Sequence, residues 1–183
     1  MRSDHQNETG RAGSSGLPGR RASGAAWLCA LLVAAALTGC KSTPPPPPPP
    51  PLPTPVTGSI QGASELNPSV SQRPSPLLLR VYELKSPTAF NQADFMALYQ
   101  ADQATLGADL IAREEFMLAP GEIRPYRKSL TPETKFIGVV AAYRNLEQAT
   151  WRTIVPVISP GKAQAQKLVI RADSLAVSAS LQP

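Results

Sequence analysis

Few side chains in this sequence could carry covalent or metal chemistry: Cys29, Cys40, His5 and the adjacent pair Glu114-Glu115. Cys40 closes the tetrapeptide Leu37-Thr38-Gly39-Cys40, directly after the apolar run Ala25 to Leu37. Small residues leading into a cysteine behind a short hydrophobic segment form a bacterial lipobox. There the thiol takes a thioether-linked lipid and the chain is cut before it, so Cys40 becomes the first mature residue. Cys29 lies inside the apolar run and His5 before it, so both leave with the cleaved segment. What remains has no imidazole and no free thiol. Ser-His-Asp and Cys-His nucleophiles are therefore excluded, as are the usual nitrogen and sulfur ligands of zinc and copper. Carboxylate chemistry of the glycosidase type and a Ser-Lys dyad stay open, and neither has a recognisable signature. Glu114 and Glu115 are neighbours in a predicted strand and point to opposite faces, so they cannot line one cleft together.

The segment that positions Cys40 reads as a secretory signal. Arg2, Arg11, Arg20 and Arg21 precede the apolar run, and a basic stretch before about 7–15 apolar residues is the layout of an export signal. The run falls short of the roughly 20 apolar residues that span a bilayer. A buried core helix has nothing nearby to pack against, and Arg20-Arg21 alone is weak evidence for twin-arginine export. Lys41, where an aspartate would favour inner-membrane retention, points to transport to the outer membrane. After Cys40 there remain 14 basic and 11 acidic residues, a formal charge of +3. That is too mild to argue for nucleic acid, and no basic stripe or RNP-like motif accompanies it.

Next comes Lys41-Ser42-Thr43, an unbroken proline run Pro44 to Pro51, and Leu52-Pro53-Thr54-Pro55. Proline fixes φ and lacks an N–H, which favours polyproline II. At about 3.1 Å per residue, the 12 positions from Pro44 to Pro55 make a semi-rigid stalk of about 35–40 Å. A PxxP ligand for an aromatic groove is the alternative reading. The expected division is a signal at 1–39, lipidated Cys40 plus stalk at 40–56, and one folded domain at 57–183.

That domain reads as mainly β. Strands are expected at Val56–Ala63, Leu77–Leu84, Asp109–Leu118, Glu122–Leu130, Phe136–Tyr143, Trp151–Val157, Lys167–Arg171 and Ser174–Leu181. Asn67-Pro68 and Arg73-Pro74-Ser75-Pro76 mark Glu65–Pro76 as an exposed loop. Leu77–Leu84 is apolar enough on both faces to be central, and Phe136–Tyr143, the most apolar strand, should run through the centre of the core. Small Gly138, Ala141 and Ala142 predict a close neighbour. Ser86 is the expected N-cap, and Pro87 the first residue, of a helix ending at Gly107. Its Phe95, Leu98 and Tyr99 share a face suited to core packing. Ala119-Pro120-Gly121 is expected to join two strands as a hairpin, as is Ala172-Asp173. Eight strands fit a two-sheet antiparallel β-sandwich with a short helical insertion.

Several of these stretches, in order, resemble one family. Arg80-Val81-Tyr82-Glu83-Leu84-Lys85, Phe90, Ala93-Asp94-Phe95 with Leu98-Tyr99, Leu106-Gly107, Glu114-Glu115-Phe116, Leu118-Ala119-Pro120-Gly121, Phe136 to Ala141, Tyr143-Arg144 and Trp151-Arg152 are similar to the outer-membrane lipoprotein of the type VI secretion system, the TssJ (VasD/Lip) family. The resemblance runs from about residue 57 to the C-terminus. It implies a transthyretin-like sandwich with added helices, on the inner leaflet of the outer membrane. It also implies a non-enzymatic assembly role without cofactor. The implied partner is the periplasmic C-terminal region of the inner-membrane protein TssM, with TssL reached indirectly, through the loop between the first two strands. Here that loop is Glu65–Pro76. On physical grounds its candidate contact residues are Asn67 and Pro68, which shape the turn, Val70, an exposed apolar side chain, and Arg73, a long cation. The alternative is a lipoprotein binding a small ligand or glycan in a sandwich cleft; weaker still is a carboxylate-dependent cell-wall hydrolase.

Overall fold

The computed structural model describes residues 47–183; Cys40, the signal segment and the first stalk residues lie outside them. Eight strands form two four-stranded sheets. The first has the order β4 (Ile123–Leu130), β1 (Thr54–Gly62), β7 (Gln166–Ala172), β8 (Val177–Gln182). The second has the order β3 (Leu110–Leu118), β2 (Leu77–Leu84), β5 (Phe136–Ala141), β6 (Arg152–Pro156). The expected sandwich is present, and β2 and β5 are the central strands of their sheet. Val56, Ile60, Leu79, Val81, Ile137, Val139, Leu168 and Ile170 fill the space between the sheets. One pairing departs from the antiparallel expectation: β1 and β7 run parallel, with Val56 opposite Gln166 through Gly62 opposite Ala172. Hydrophobic alternation selects a face for each strand and carries no information about its neighbour's direction.

The turn 119–121 joins strands but not as a hairpin, which corrects the expectation. Leu118 pairs with Leu77 in one sheet, whereas Ile123 pairs with Gln61 in the other. Gly121, at φ +73°, donates its N–H to the Ala63 carbonyl, and the Glu122 carboxylate accepts from the Ala119 N–H at 2.8 Å. These bonds fold the chain over the sandwich edge, so β3 and β4 stack face to face. The β7–β8 hairpin is as expected. However, β8 starts at Val177 rather than Ser174, because the Asp173 carboxylate accepts from the N–H groups of Leu175 and Ala176 and holds them in the turn.

The helical insertion is two helices, not one. Helix α1 (Thr88–Gln92) follows Pro87, while the Ser86 hydroxyl accepts from the Thr88 N–H at 3.3 Å. Ala93 turns extended, and the Asp94 carboxylate caps α2 (Phe95–Leu106) by accepting from the Ala97 N–H at 2.7 Å. Within α2 the backbone breaks at Ala101 (φ −140°), and Arg80 donates to the carbonyls of Leu98 (3.0 Å) and Tyr99 (2.7 Å) near the break. Both helices cover the outer face of the second sheet, where Phe90, Leu98 and Leu106 meet Tyr82, Leu84 and Val140. The predicted close approach at Gly138 is made by the Phe90 ring; a Cβ there would lie 2.9 Å from it. Among the described residues, the outer face of the first sheet carries no helix.

The last part of the proline tract belongs to the domain. Leu52 bridges Lys162 and donates its N–H to the Gly161 carbonyl at 2.9 Å, and β1 already starts at Thr54. Pro55 is tolerated in this central strand because pairing with β7 begins only at Val56.

Candidate functional site

Strand directions gather four connections at the pole opposite the N-terminal end of β1. They are the β1–β2 loop, the β3–β4 turn, the β5–β6 loop and the β7–β8 turn. At about 3.3 Å per residue, the nine residues of β1 separate this pole from the proline tract by about 30 Å.

The β1–β2 loop is a built structure. Leu66 is fully buried in the core, and the Ser75 N–H donates to its carbonyl at 2.9 Å, which closes the loop base. Asn67 is 4% exposed and sits at φ +45°, a left-handed conformation that asparagine tolerates. Its Nδ2 donates to the Pro76 carbonyl, and its Oδ1 accepts from the Arg144 N–H, both at 2.9 Å. Both ends of its amide are thus spent inside the fold, holding this loop to the β5–β6 loop. Beyond that peg, the Ser69 N–H donates to the Arg73 carbonyl and the Gln72 N–H to the Ser69 carbonyl, a tight turn. Val70 at the tip is fully exposed and Arg73 is exposed; Pro68 is half-buried at the turn's base. The four residues singled out in the sequence therefore share one turn in two roles: Asn67 and Pro68 set its shape, and Val70 and Arg73 are presented by it.

The second and third walls come from segments distant in sequence. The Thr150 N–H donates to the Leu175 carbonyl (2.8 Å) and the Val177 N–H to the Thr150 carbonyl (2.9 Å), tying the β5–β6 loop to the β7–β8 turn. Between the loops lies an open groove of about 610 Å³, lined by Pro68, Val70, Arg144, Gln148 and Leu175 among others. Arg144 and Leu175 were not among the sequence candidates. Nothing local distinguishes them: the Arg144 N–H bond to Asn67 and the pairing of Thr150 with the β7–β8 turn, both long-range, bring them to Val70. Neither Arg73 nor Arg144 is in an ion pair among the described residues. The groove thus joins an apolar tip to uncompensated positive charge.

The ion pairs elsewhere are structural. Glu115 meets Arg80 at 2.5 Å on the helix side, and Glu114 meets Lys128 at 2.7 Å on the core side. The glutamates do occupy opposite faces. Lys128, from the first sheet, also reaches buried Glu83 of the second at 2.8 Å, and the Thr134 hydroxyl donates to Glu83 at 2.7 Å. Burial opposes the Lys128 charge, yet hydrogen bonds to Glu114 and Glu83 outweigh it and raise its pKa. Asp102 follows the converse pattern. Burial alone would raise its pKa, but the hydrogen bond and charge of Arg113 at 2.6 Å bring it below the ordinary value. Burial pushes the Tyr82 hydroxyl up to about 12.

A family model described as type VI secretion lipoprotein, covering VasD, EvfM and TssJ, matches residues 54–175. The crystal structure of the type VI lipoprotein TssJ1 from Pseudomonas aeruginosa is similar to the chain at 43% identity and a TM-score of 0.67, over 72% of this chain and 98% of that one. Lip from Serratia marcescens, a membrane-bound component of the type VI secretion system, matches at 25% identity and a TM-score of 0.62, over 70% and 97%. A chain of a structure described as a type VI membrane complex matches at 26% identity and a TM-score of 0.59, over 71% and 98%. No protein of curated function matches the chain.

Proposed function

The chain belongs to the type VI secretion lipoprotein family of TssJ, VasD and EvfM, and from that premise we propose that it is the outer-membrane lipoprotein of a type VI membrane complex, binding the periplasmic C-terminal region of TssM through the pole around Val70. Lipid on Cys40 holds it to the periplasmic side of the outer membrane, with residues 1–39 removed and the proline tract as spacer. TssL is reached indirectly, through TssM. The role is assembly, not catalysis.

The observation that carries this reading is the presentation of Val70. A fully exposed valine on a turn whose base is pinned by Leu66 and Asn67 loses little conformational freedom on binding. Arg73 and Arg144 beside it favour a partner segment with carboxylates or free carbonyls around an apolar centre.

The test uses residues 41–183 and the periplasmic domain of the TssM encoded with it. Val70→Asp combined with Arg73→Glu is expected to weaken the complex by about 30-fold or more, the loss at a binding hot spot, and to leave the melting temperature unchanged. Unaltered affinity would remove the loop from the interface. A folded wild-type protein that forms no complex would refute the partner assignment. Cys40→Ser in the full-length chain is expected to leave a folded but unlipidated protein and stop secretion; normal secretion would refute the anchoring role.

A further inference from the structure

The two outer faces of the sandwich differ. Helices cover the second sheet, whereas nothing among the described residues packs on the outer face of the first. Its outward positions fall in cross-strand rows: Arg127, Thr57, Lys167 and Gln182; then Pro125, Ser59, Val169 and Ser180; then Ile123, Gln61, Arg171 and Ser178. Arg127, Lys167 and Arg171 are exposed, and no strand of this sheet contains an aspartate or glutamate. None of the three cations is in an ion pair among the described residues, although seven ion pairs occur elsewhere in the domain. Arg127 and Lys167 stand two strands apart, about 10 Å, and Arg171 about 13 Å further along β7. Asp173, just past β7, points its carboxylate at the turn N–H groups of Leu175 and Ala176.

We propose that this face docks on the anionic phospholipid headgroups of the membrane that holds the protein. Three uncompensated cations among serine and threonine hydroxyls match a layer of phosphodiesters. The face carries no aromatic side chain, and its apolar members are scattered: half-buried Val169 and exposed Pro125 in the middle row, and Ile123, 70% exposed, at one corner. The inference rests on the reading of Cys40 as a lipid site. An anchor only 14 residues before Thr54 keeps the face at high local concentration near the headgroups, where a weak attraction suffices. The partner-binding loops project from the ends of the strands, so docking leaves the groove beside Val70 open.

The test is sedimentation of unlipidated residues 41–183 with vesicles of phosphatidylethanolamine, with and without phosphatidylglycerol. Binding is expected only to the anionic vesicles and falls as salt rises. Each cation near such a surface multiplies partitioning about fivefold, so Arg127→Gln, Lys167→Gln and Arg171→Gln together lower it about 100-fold. Arg73→Gln with Arg144→Gln, which removes two cations at the loop pole, is the control and retains binding; melting curves establish that both variants fold. Absence of binding to the anionic vesicles, equal binding to neutral ones, undiminished binding by the triple variant, or loss in the control would overturn the proposal. So would capture by immobilised polyglutamate through the same three cations without vesicle binding, which would make the face a site for an acidic protein. TssM is absent from the assay, so the outcome is independent of the partner assignment.

Discussion

Asn67→Ala separates the support of the loop from its contacts. The substitution removes the bonds to the Pro76 carbonyl and from the Arg144 N–H, each 2.9 Å long. Each bond contributes about 1 kcal/mol net, because the freed backbone group is only part-buried. Alanine is also less favourable than asparagine at φ +45° by about 1 kcal/mol. The total is about 3 kcal/mol, or a fall in melting temperature of about 10 °C for a domain of this size. Asn67→Gly keeps the backbone conformation at no steric cost and loses only the bonds, so it falls by about two-thirds of that. Calorimetric melts of both variants, with titrations against the TssM periplasmic domain, make the measurement. Both variants should lose affinity although neither changes Val70 or Arg73. An unchanged melting temperature for Asn67→Ala would refute the peg, and full affinity with a lowered melting temperature would refute the link between loop shape and binding.

Gly138→Ala puts a methyl 2.9 Å from the Phe90 ring and should cost about 1–3 kcal/mol in urea unfolding; the double variant with Phe90→Leu should recover part of it. Lys128→Met leaves Glu83 buried without its cation and should cost at least about 3 kcal/mol, whereas adding Glu83→Leu should restore most of the loss. Because Asp102 is held below its ordinary 3.8, its contribution is fully present above that pH and disappears as pH falls through the lower folded value. Asp102→Asn should therefore flatten acid denaturation in that window, and an identical acid limb in the variant would contradict the assignment.

The residues of this chain announced their faces better than their neighbours. Alternation placed Glu114 and Glu115 on opposite faces, and the small side chain of Gly138 marked a close neighbour, because each depends only on a strand's own side chains. The parallel β1–β7 pair and the crossing at Gly121 were not legible, since pairing depends on which strand is nearby, and a tight turn reads alike within a sheet and between sheets. The break at Ala93 was signalled by Asp94, a good cap inside a helical pattern, but the spacing of Phe95, Leu98 and Tyr99 is indifferent to where the helix starts. At the loop pole, Asn67-Pro68 and Val70 stood out through turn chemistry and exposure. Arg144 and Leu175 join them through long-range pairing that no local pattern records.

The position of β1 also has a mechanical meaning. Its first residues continue the proline tract and its last lead into the β1–β2 loop, and it is flanked on both sides, with eight residue pairs to β4 and seven to β7. With lipid on Cys40 and a partner on the β1–β2 loop, as proposed above, tension would run along this strand, across its ladder of transverse hydrogen bonds. Such loading is shear: the bonds share the force and must yield together, where a strand peeled from an edge would give way one bond at a time. A load applied in this way would meet the domain along its strongest direction.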